Sequence, residues 1–290
     1  MQSKERKLPP KESKKEKMKI SCCVPGGSFM PQGENEIPMS SYDRLTEGAR
    51  IMEALGYDCT EATVGLITSL TEEETEILRK EAAAGRFKLY ACNSFIPGSL
   101  PIITDAEGTK KLYDYVENAV RRMASLGIRY VVFGSGRVRT IPGDSDRAAA
   151  EAQIDAFITH IDACCEAHGM TCVIEPLNKL ETNWCNTVAE GAAVVRRLNL
   201  KHIKLLADSY HMSMEGEDLS VIAENRDIIL HCHISSEDRK IPGGTTYEGR
   251  FLDTLKKIGY DGIVTVECGF TDFRAEAAAA ADYLRAKLAE

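Results

Sequence analysis

The stretch TCVIEPLNKLETNWCNT, residues 171–187, decides the fold. Thr171 to Ile174 form a short strand-like run that stops on an acid, Glu175. Pro176 has no N–H to give to a sheet ladder, so the strand ends there. A second acid, Glu181, follows in the loop, and Asn186-Thr187 supplies the capping chemistry that opens a helix. The unit is strand, polar loop, helix, with a carboxylate at the end of a buried strand. An unpaired charge in such a place costs on the order of several kcal/mol, so the rest of the chain has to supply a partner for it.

The same unit recurs on both sides. Upstream, residues 19–24 are a β-rich run broken by Pro25-Gly26-Gly27, and Leu45, Ala49, Met52 and Leu55 mark a helix over 42–55 that Gly56 ends. Residues 58–67 contain a second strand that includes Glu61, and Thr71 with Glu74 forms a capping box for a helix over 71–84. A third strand over 88–95 closes at Pro97-Gly98. Leu112, Val116, Ala119, Met123 and Leu126 line one face of a long helix before Gly127, and 130–133 is the fourth strand. A helix over 144–168, ended by Gly169, leads into the opening stretch, whose strand is 172–175 and whose helix is 188–198. Downstream the spacing predicts strands over 203–208, 228–233 and 263–267, and helices over 219–225, 251–258 and 274–289.

Eight strand-then-helix units between Met18 and Glu290, about 34 residues each, predict a single (β/α)8 TIM barrel with parallel strands and right-handed crossovers. The rival is a doubly wound open sheet, which places a Gly-rich phosphate turn after its first strand. Pro25-Gly26-Gly27 does not fit that turn, and Gly134-Ser135-Gly136 after the fourth strand reads as an ordinary tight turn. No unit repeats another in sequence, and no linker divides residues 18–290.

Residues 1–17 stand apart, with seven Lys/Arg against three Glu and almost nothing apolar; they read as a disordered basic tail. Setting that +4 aside from a total of −8 leaves the body at −12, which does not attract a phosphate backbone over a broad surface. No apolar run is long enough to span a bilayer or to serve as a secretory signal. Ten cysteines without a CxxC pair, several inside apolar runs, read as reduced and mostly buried thiols in a cytoplasmic protein. The expected partner is a small molecule, with neither nucleic acid nor membrane, and homo-oligomerisation is left open.

In a barrel of this kind the chemistry sits at the C-terminal ends of the strands. In the second half those ends carry Glu175, Asp208, His233 and Glu267. Each alone has a plain structural explanation, such as a cap, a core histidine or a surface pair. Neighbouring strands lie about 4.8 Å apart, so four successive ends can converge on one point. Three carboxylates there would repel one another and raise each other's pKa, and a divalent cation removes that penalty. Three carboxylates and one imidazole suit Mn2+ best, with Mg2+, Co2+ or Zn2+ as alternatives. His211, Arg239 and Glu181 lie nearby in sequence. His231, two residues before His233, faces the same side and reads as a core or supporting histidine.

With these residues in place the sequence resembles the xylose isomerase-like sugar (phosphate) isomerase/epimerase barrels, and among them the ketose 3-epimerases of the D-tagatose 3-epimerase type. Glu175-Pro176-Leu177-Asn178 with Glu181-Thr182 and Asn186-Thr187 is similar to their EPLN…ET…NT segment. Asp208-Ser209-Tyr210-His211-Met212 resembles their DxxHM, and His231-Cys232-His233 with Arg239 and Pro242-Gly243 resembles HxH…R…PG. The resemblance implies that Glu175, Asp208, His233 and Glu267 hold one divalent ion and that Glu175 and Glu267 act as the acid/base pair on opposite faces of a sugar. It also implies that Glu181, His211 and Arg239 bind substrate oxygens. The implied reaction removes the proton beside a carbonyl, through an enediolate, and returns it from the other side. Lys179-Leu180, Gly244-Thr245 and Cys268 depart from the usual pattern at loop positions, where specificity is set.

Two other activities share parts of this pattern. A lyase or dehydratase acting on a keto-sugar, keto-inositol or keto-glycoside uses the same deprotonation and expels a leaving group. An endonuclease IV-like nuclease needs a multinuclear zinc site richer in histidine than the six present here, and the acidic body argues against it. A sugar-binding barrel without catalysis has no use for the Glu175/Glu267 pair.

Overall fold

The computed structural model describes residues 18–26, 29–35, 38–243 and 245–289. The basic tail expected over 1–17 lies outside the described residues. In chain order the elements are β1 (Lys19–Cys23), α1 (Ser41–Ala54), β2 (Cys59–Thr63), α2 (Val64–Thr68), α3 (Glu72–Ala83), β3 (Leu89–Asn93), α4 (Ala106–Ser125), β4 (Tyr130–Phe133), α5 (Gly136–Arg139) and α6 (Arg147–His168). They continue with β5 (Thr171–Ile174), α7 (Val188–Leu198), β6 (Ile203–Asp208), α8 (Ser209–Met214), α9 (Ser220–Glu224), β7 (Ile229–Ile234), α10 (Thr246–Ile258), β8 (Ile263–Val266) and α11 (Phe273–Ala289).

The eight strands are parallel and close into one barrel in the order β1 to β8. Closure comes from the β1/β8 pairing, in which Ile20 lies opposite Val264. The registers that matter for chemistry set Cys23 beside Glu61 and Asp208 beside His233. The (β/α)8 expectation is met.

The main apolar core fills the layer between strands and helices, with Ile20, Phe133, Phe157, Ile174 and Leu205 among its members. Side chains two apart on a strand share a face, so the face bearing the polar strand-end residues also bears Val173 and Leu206. These two cluster with Val132 apart from the main core. The interior is apolar on that side. On the other it is polar, with buried Ser21, Glu61, His231 and Thr265.

Local chemistry sets the element ends. Asp146 caps α6 by accepting from the N–H groups of Ala148 and Ala149, and Gly169 ends it in the left-handed conformation (φ 68°) that glycine adopts without steric cost. Thr187 caps α7 as read from the sequence, and Thr71 with Glu74 forms the expected capping box on α3. Three short helices were not foreseen. Residues 64–67, which fall in the stretch expected to contain the second strand, turn into α2, because five residues already cross the barrel wall and Val64 and Ile67 then bury at helical spacing. Gly136, expected in a tight turn, opens α5, and α8 begins directly at the end of β6. All ten cysteines are free thiols, nine of them buried. Among the described residues, no helix is long and apolar enough to cross a membrane.

Candidate active site

Glu175, Asp208, His233 and Glu267 come together at the C-terminal mouth of the barrel, one oxygen or nitrogen from each lying within 4.8 Å of the others. His233 sits at the centre. Its Nδ1 is 3.0 Å from Glu175 Oε1 and 3.3 Å from Glu267 Oε2. Asp208 has a double duty: Oδ1 accepts from the N–H of Tyr210 at 2.7 Å and so caps α8, while Oδ2 faces the cluster. The capping explanation for this residue is therefore correct and does not compete with a place in the site.

Every member is buried except Glu267 and Arg239, which are partly open at the mouth. Arg239 occupies the position of a neutralising cation. Its guanidinium donates to Glu267 Oε2 at 2.7 Å and lies 3.4 Å from Asp208 Oδ2, with Tyr210 under its face. Arg239 adopts φ 60°, a left-handed backbone conformation that non-glycine residues rarely hold. Its N–H donates to Ser236 O, and its carbonyl accepts from Gly269 N–H at 2.9 Å, which ties the loop after β7 to the segment after β8.

The two glutamates are driven apart electrostatically. Burial pushes the Glu175 carboxyl up, and the charges of Glu267 and Asp208 add to that against the pull of His233. Burial acts on Glu267 in the same sense, yet His233 and Arg239 outweigh it and hold the carboxyl down at about 2. Burial alone would favour a neutral His233; the surrounding Glu61, Glu267 and Glu175 carboxylates reverse this and hold it well above the ordinary histidine range. Without further cation, the cluster relies on the imidazole and one guanidinium to balance its acids.

Beneath the mouth lies an arrangement that the sequence did not reveal. Glu61, in the middle of β2 and fully buried, accepts from His233 Nε2 at 3.0 Å through one oxygen and from His231 Nε2 at 2.8 Å through the other. Burial opposes its charge, but the two imidazoles hold Glu61 well below the usual carboxylate range. Glu61 thereby holds the Nε2 hydrogen of His233, so that the nitrogen facing the mouth is Nδ1, the one that would turn a lone pair to a metal ion on giving up its own hydrogen. His231 fits its reading as a supporting histidine.

Three further groups shape the acids. The side-chain amide of Asn93 donates to Glu267 Oε1 at 3.2 Å. Gly134 leaves the space that the Glu175 carboxylate fills; a Cβ there would overlap it. Arg139 is fully buried and donates to the carbonyls of Phe133 (2.8 Å) and Glu175 (2.6 Å), its guanidinium between the Phe133 and Trp184 rings. Arg139 thus locks the ends of β4 and β5 together.

Two of the substrate-contact candidates stand at the cluster and one stands off. His211 Nδ1 accepts from the N–H of Asn178 at 3.1 Å, so the neutral ring carries its hydrogen on Nε2, which faces inward. Arg239 Nη1 lies 3.1 Å from that nitrogen, which sets the two side chains against each other at the mouth. Glu181 sits on the rim, about half exposed, 4.0 Å from His211 Nδ1.

The model of the xylose isomerase-like TIM barrel family matches residues 49–287. The chain belongs to that family. It is 24% identical over 235 residues to the 3-dehydro-D-guloside 4-epimerase of Escherichia coli K12, covering 78% of this chain and 87% of that one. It is 23% identical over 228 residues to the D-psicose 3-epimerase of Enterocloster bolteae, covering 74% of each. Among solved structures, the D-psicose 3-epimerase of Clostridium cellulolyticum H10 with D-tagatose superposes with a TM-score of 0.77 at 18% identity, over 93% of this chain and 99% of that one. At that identity the superposition shows the shared fold. The named relatives are sugar epimerases, and this member of the family is an enzyme.

Proposed function

We propose that this enzyme inverts the carbon beside the ketone of a keto-sugar. The carrying observation is the Glu175/Glu267 pair, two carboxyls that meet at Nδ1 of His233, 3.0 and 3.3 Å away, with opposite displacements of their proton affinity. The two relatives support the same reading: a 3-dehydro sugar epimerised at carbon 4 and a 2-ketose epimerised at carbon 3 both react at the carbon adjoining the carbonyl.

The donor set fits one divalent ion at the mouth. Three carboxylates and an imidazole converge, and a guanidinium already lies against two of the acids as a cation would. Glu175, Asp208, His233 and Glu267 would hold the ion, with Mn2+ favoured by the oxygen-rich set. When bound, it would stabilise negative charge on the carbonyl and neighbouring hydroxyl oxygens of the sugar.

The rest is done by the chain. One of Glu175 and Glu267 takes the proton from the carbon and the other returns one to the opposite face, which inverts the centre. His211 and Arg239, 3.1 Å apart at the mouth, bind substrate oxygens. Asn93 and Arg239 orient Glu267, while Gly134 and Arg139 set the position of Glu175. Glu181 and the exposed Leu180, on the loop after β5 at the rim, would meet the outer part of the sugar.

The test is turnover of a keto-sugar panel in deuterated water. Epimerisation through proton exchange places one deuterium on the inverted carbon, and Glu267→Gln abolishes both labelling and turnover while the protein stays folded. An eliminated product in place of a labelled epimer refutes the reading in favour of the lyase. Activity retained after complete metal removal refutes the metal assignment.

A further inference from the structure

We propose a second metal site, selective for Zn2+, on the outer wall of the barrel between α4 and α6, built from Glu117, His160 and Cys164. Nothing in the proposed reaction uses these residues. α6 runs back from the catalytic mouth toward the start of β5, so its last two turns stand at the opposite end of the barrel from Glu175.

His160 and Cys164 are four residues apart, one turn on the same face of α6. Nε2 of His160 lies 3.5 Å from Cys164 Sγ and 3.8 Å from Glu117 Oε1, which reaches across from α4. The three donor atoms all fall within 4.8 Å of one another. A tetrahedral zinc ion, with bonds of about 2.0–2.3 Å, sets its ligand atoms about 3.3–3.7 Å apart. The nitrogen–sulfur pair already has that separation, and the Glu117 side chain, 63% exposed, is free to close the remainder. The imidazole is held ready by stacking on Tyr113, with ring centroids 3.8 Å apart and planes 7° from parallel. Asp114 and His168 line the same hollow and offer a fourth donor; His168 lies one turn beyond Cys164.

The ligand types choose the ion. Thiolate, imidazole and a single carboxylate form a borderline-soft set that suits Zn2+, whereas the oxygen-rich mouth suits Mn2+ or Mg2+. A plain alternative is a weak thiol–imidazole contact beside a surface acid, with no ion. It predicts no zinc uptake here. Burial and the Glu117 charge hold the bare Cys164 thiol up at about 11. Binding displaces the thiol proton into solvent.

The experiment uses the full chain with its mouth site saturated with Mn2+. Zn2+ uptake is measured by equilibrium dialysis, and Co2+ is added in parallel to look for thiolate-to-cobalt charge-transfer absorption. The proposal predicts one further Zn2+ per chain and a cobalt–thiolate band, both lost in Cys164→Ala. Glu117→Gln, at an exposed side chain, weakens zinc binding without disturbing the fold, and epimerisation by the Mn2+-loaded enzyme is unchanged in both variants. Zinc uptake equal in wild type and Cys164→Ala overturns the proposal. So does a cobalt band that is missing from the wild type or that persists in the variant, where it would report another thiol. Because zinc is read without turnover, failure here leaves the epimerase reading standing, and failure of that reading leaves this site standing.

Discussion

Replacing Glu61 with glutamine tests the support beneath the mouth. The carboxylate accepts one hydrogen bond from each of two buried imidazoles, at 3.0 and 2.8 Å, and its residue has no exposed surface. A glutamine keeps the shape but offers one acceptor oxygen and one NH2 donor. One imidazole keeps its partner; the other then faces a donor. If His231 loses, a buried N–H is left unsatisfied, at about 1–3 kcal/mol of stability. If His233 loses, its ring takes the other tautomer, accepting at Nε2 and placing a hydrogen on Nδ1, the nitrogen that faces Glu175 and Glu267. Loss of a partner to a metal-binding histidine weakens metal binding or activity by roughly 10–100-fold, equivalent to about 1.4–2.7 kcal/mol. The assay is competition for Mn2+ against a chromophoric chelator, run beside urea unfolding. Glu61→Gln is expected to raise the metal dissociation constant within that range, with turnover recovering at saturating metal. Unchanged affinity, with stability also unchanged, refutes the claim that Glu61 holds the Nε2 hydrogen of His233.

Three more outcomes follow from other parts of the structure. Gly134→Ala puts a methyl group where the Glu175 carboxylate lies; the end of that side chain can swing aside, so the expected result is a large fall in kcat with under about 1 kcal/mol lost in urea unfolding, and normal turnover would contradict the close approach. Arg139→Lys removes one of two bonds that join Phe133 and Glu175 carbonyls, costing about 1–3 kcal/mol for the unsatisfied acceptor, read as a lower urea midpoint. Glu47, paired with Arg50 on α1 and Arg274 on α11, has its carboxyl held down at about 2 from an ordinary 4.5. A lowered folded value means that its contribution is present above about 4.5 and fades as pH falls toward about 2. The urea-midpoint gap between wild type and Glu47→Gln, under about 1 kcal/mol for so exposed a pair, should therefore narrow over that window; a constant gap would remove the assignment.

The barrel was legible because strand and helix periods alternate without interruption, and because the residues that stop each strand are prolines, glycines and caps with local causes. Four residues of the candidate site were legible for a related reason. Glu175, Asp208, His233 and Glu267 each lie at or within one residue of a strand's end, and closing the barrel brings consecutive ends together. Glu61 was visible as an acid within a strand, but its meaning depends on His231 and His233, some 170 residues away, and no local pattern carries that distance. Gly134 looked like half of a turn because the atom it makes room for belongs to the next strand. Arg139 has no sequence mark at all: its burial depends on Phe133 and Trp184 closing over it. The short helices α2, α5 and α8 escaped because four to six residues are too few to display a helical period.

The stitch between Arg239 and Gly269 bears on any attempt to retarget this enzyme. A designer would naturally exchange the β7 loop for that of a relative with another preference. Yet the arginine that faces the sugar in the proposed reaction hangs its carbonyl on the chain two residues past Glu267, in a backbone conformation that only such anchoring sustains. The two segments form one cassette. Grafted singly, the incoming loop would arrive without its moorings, so residues 235–243 and 267–270 have to be transplanted as a pair.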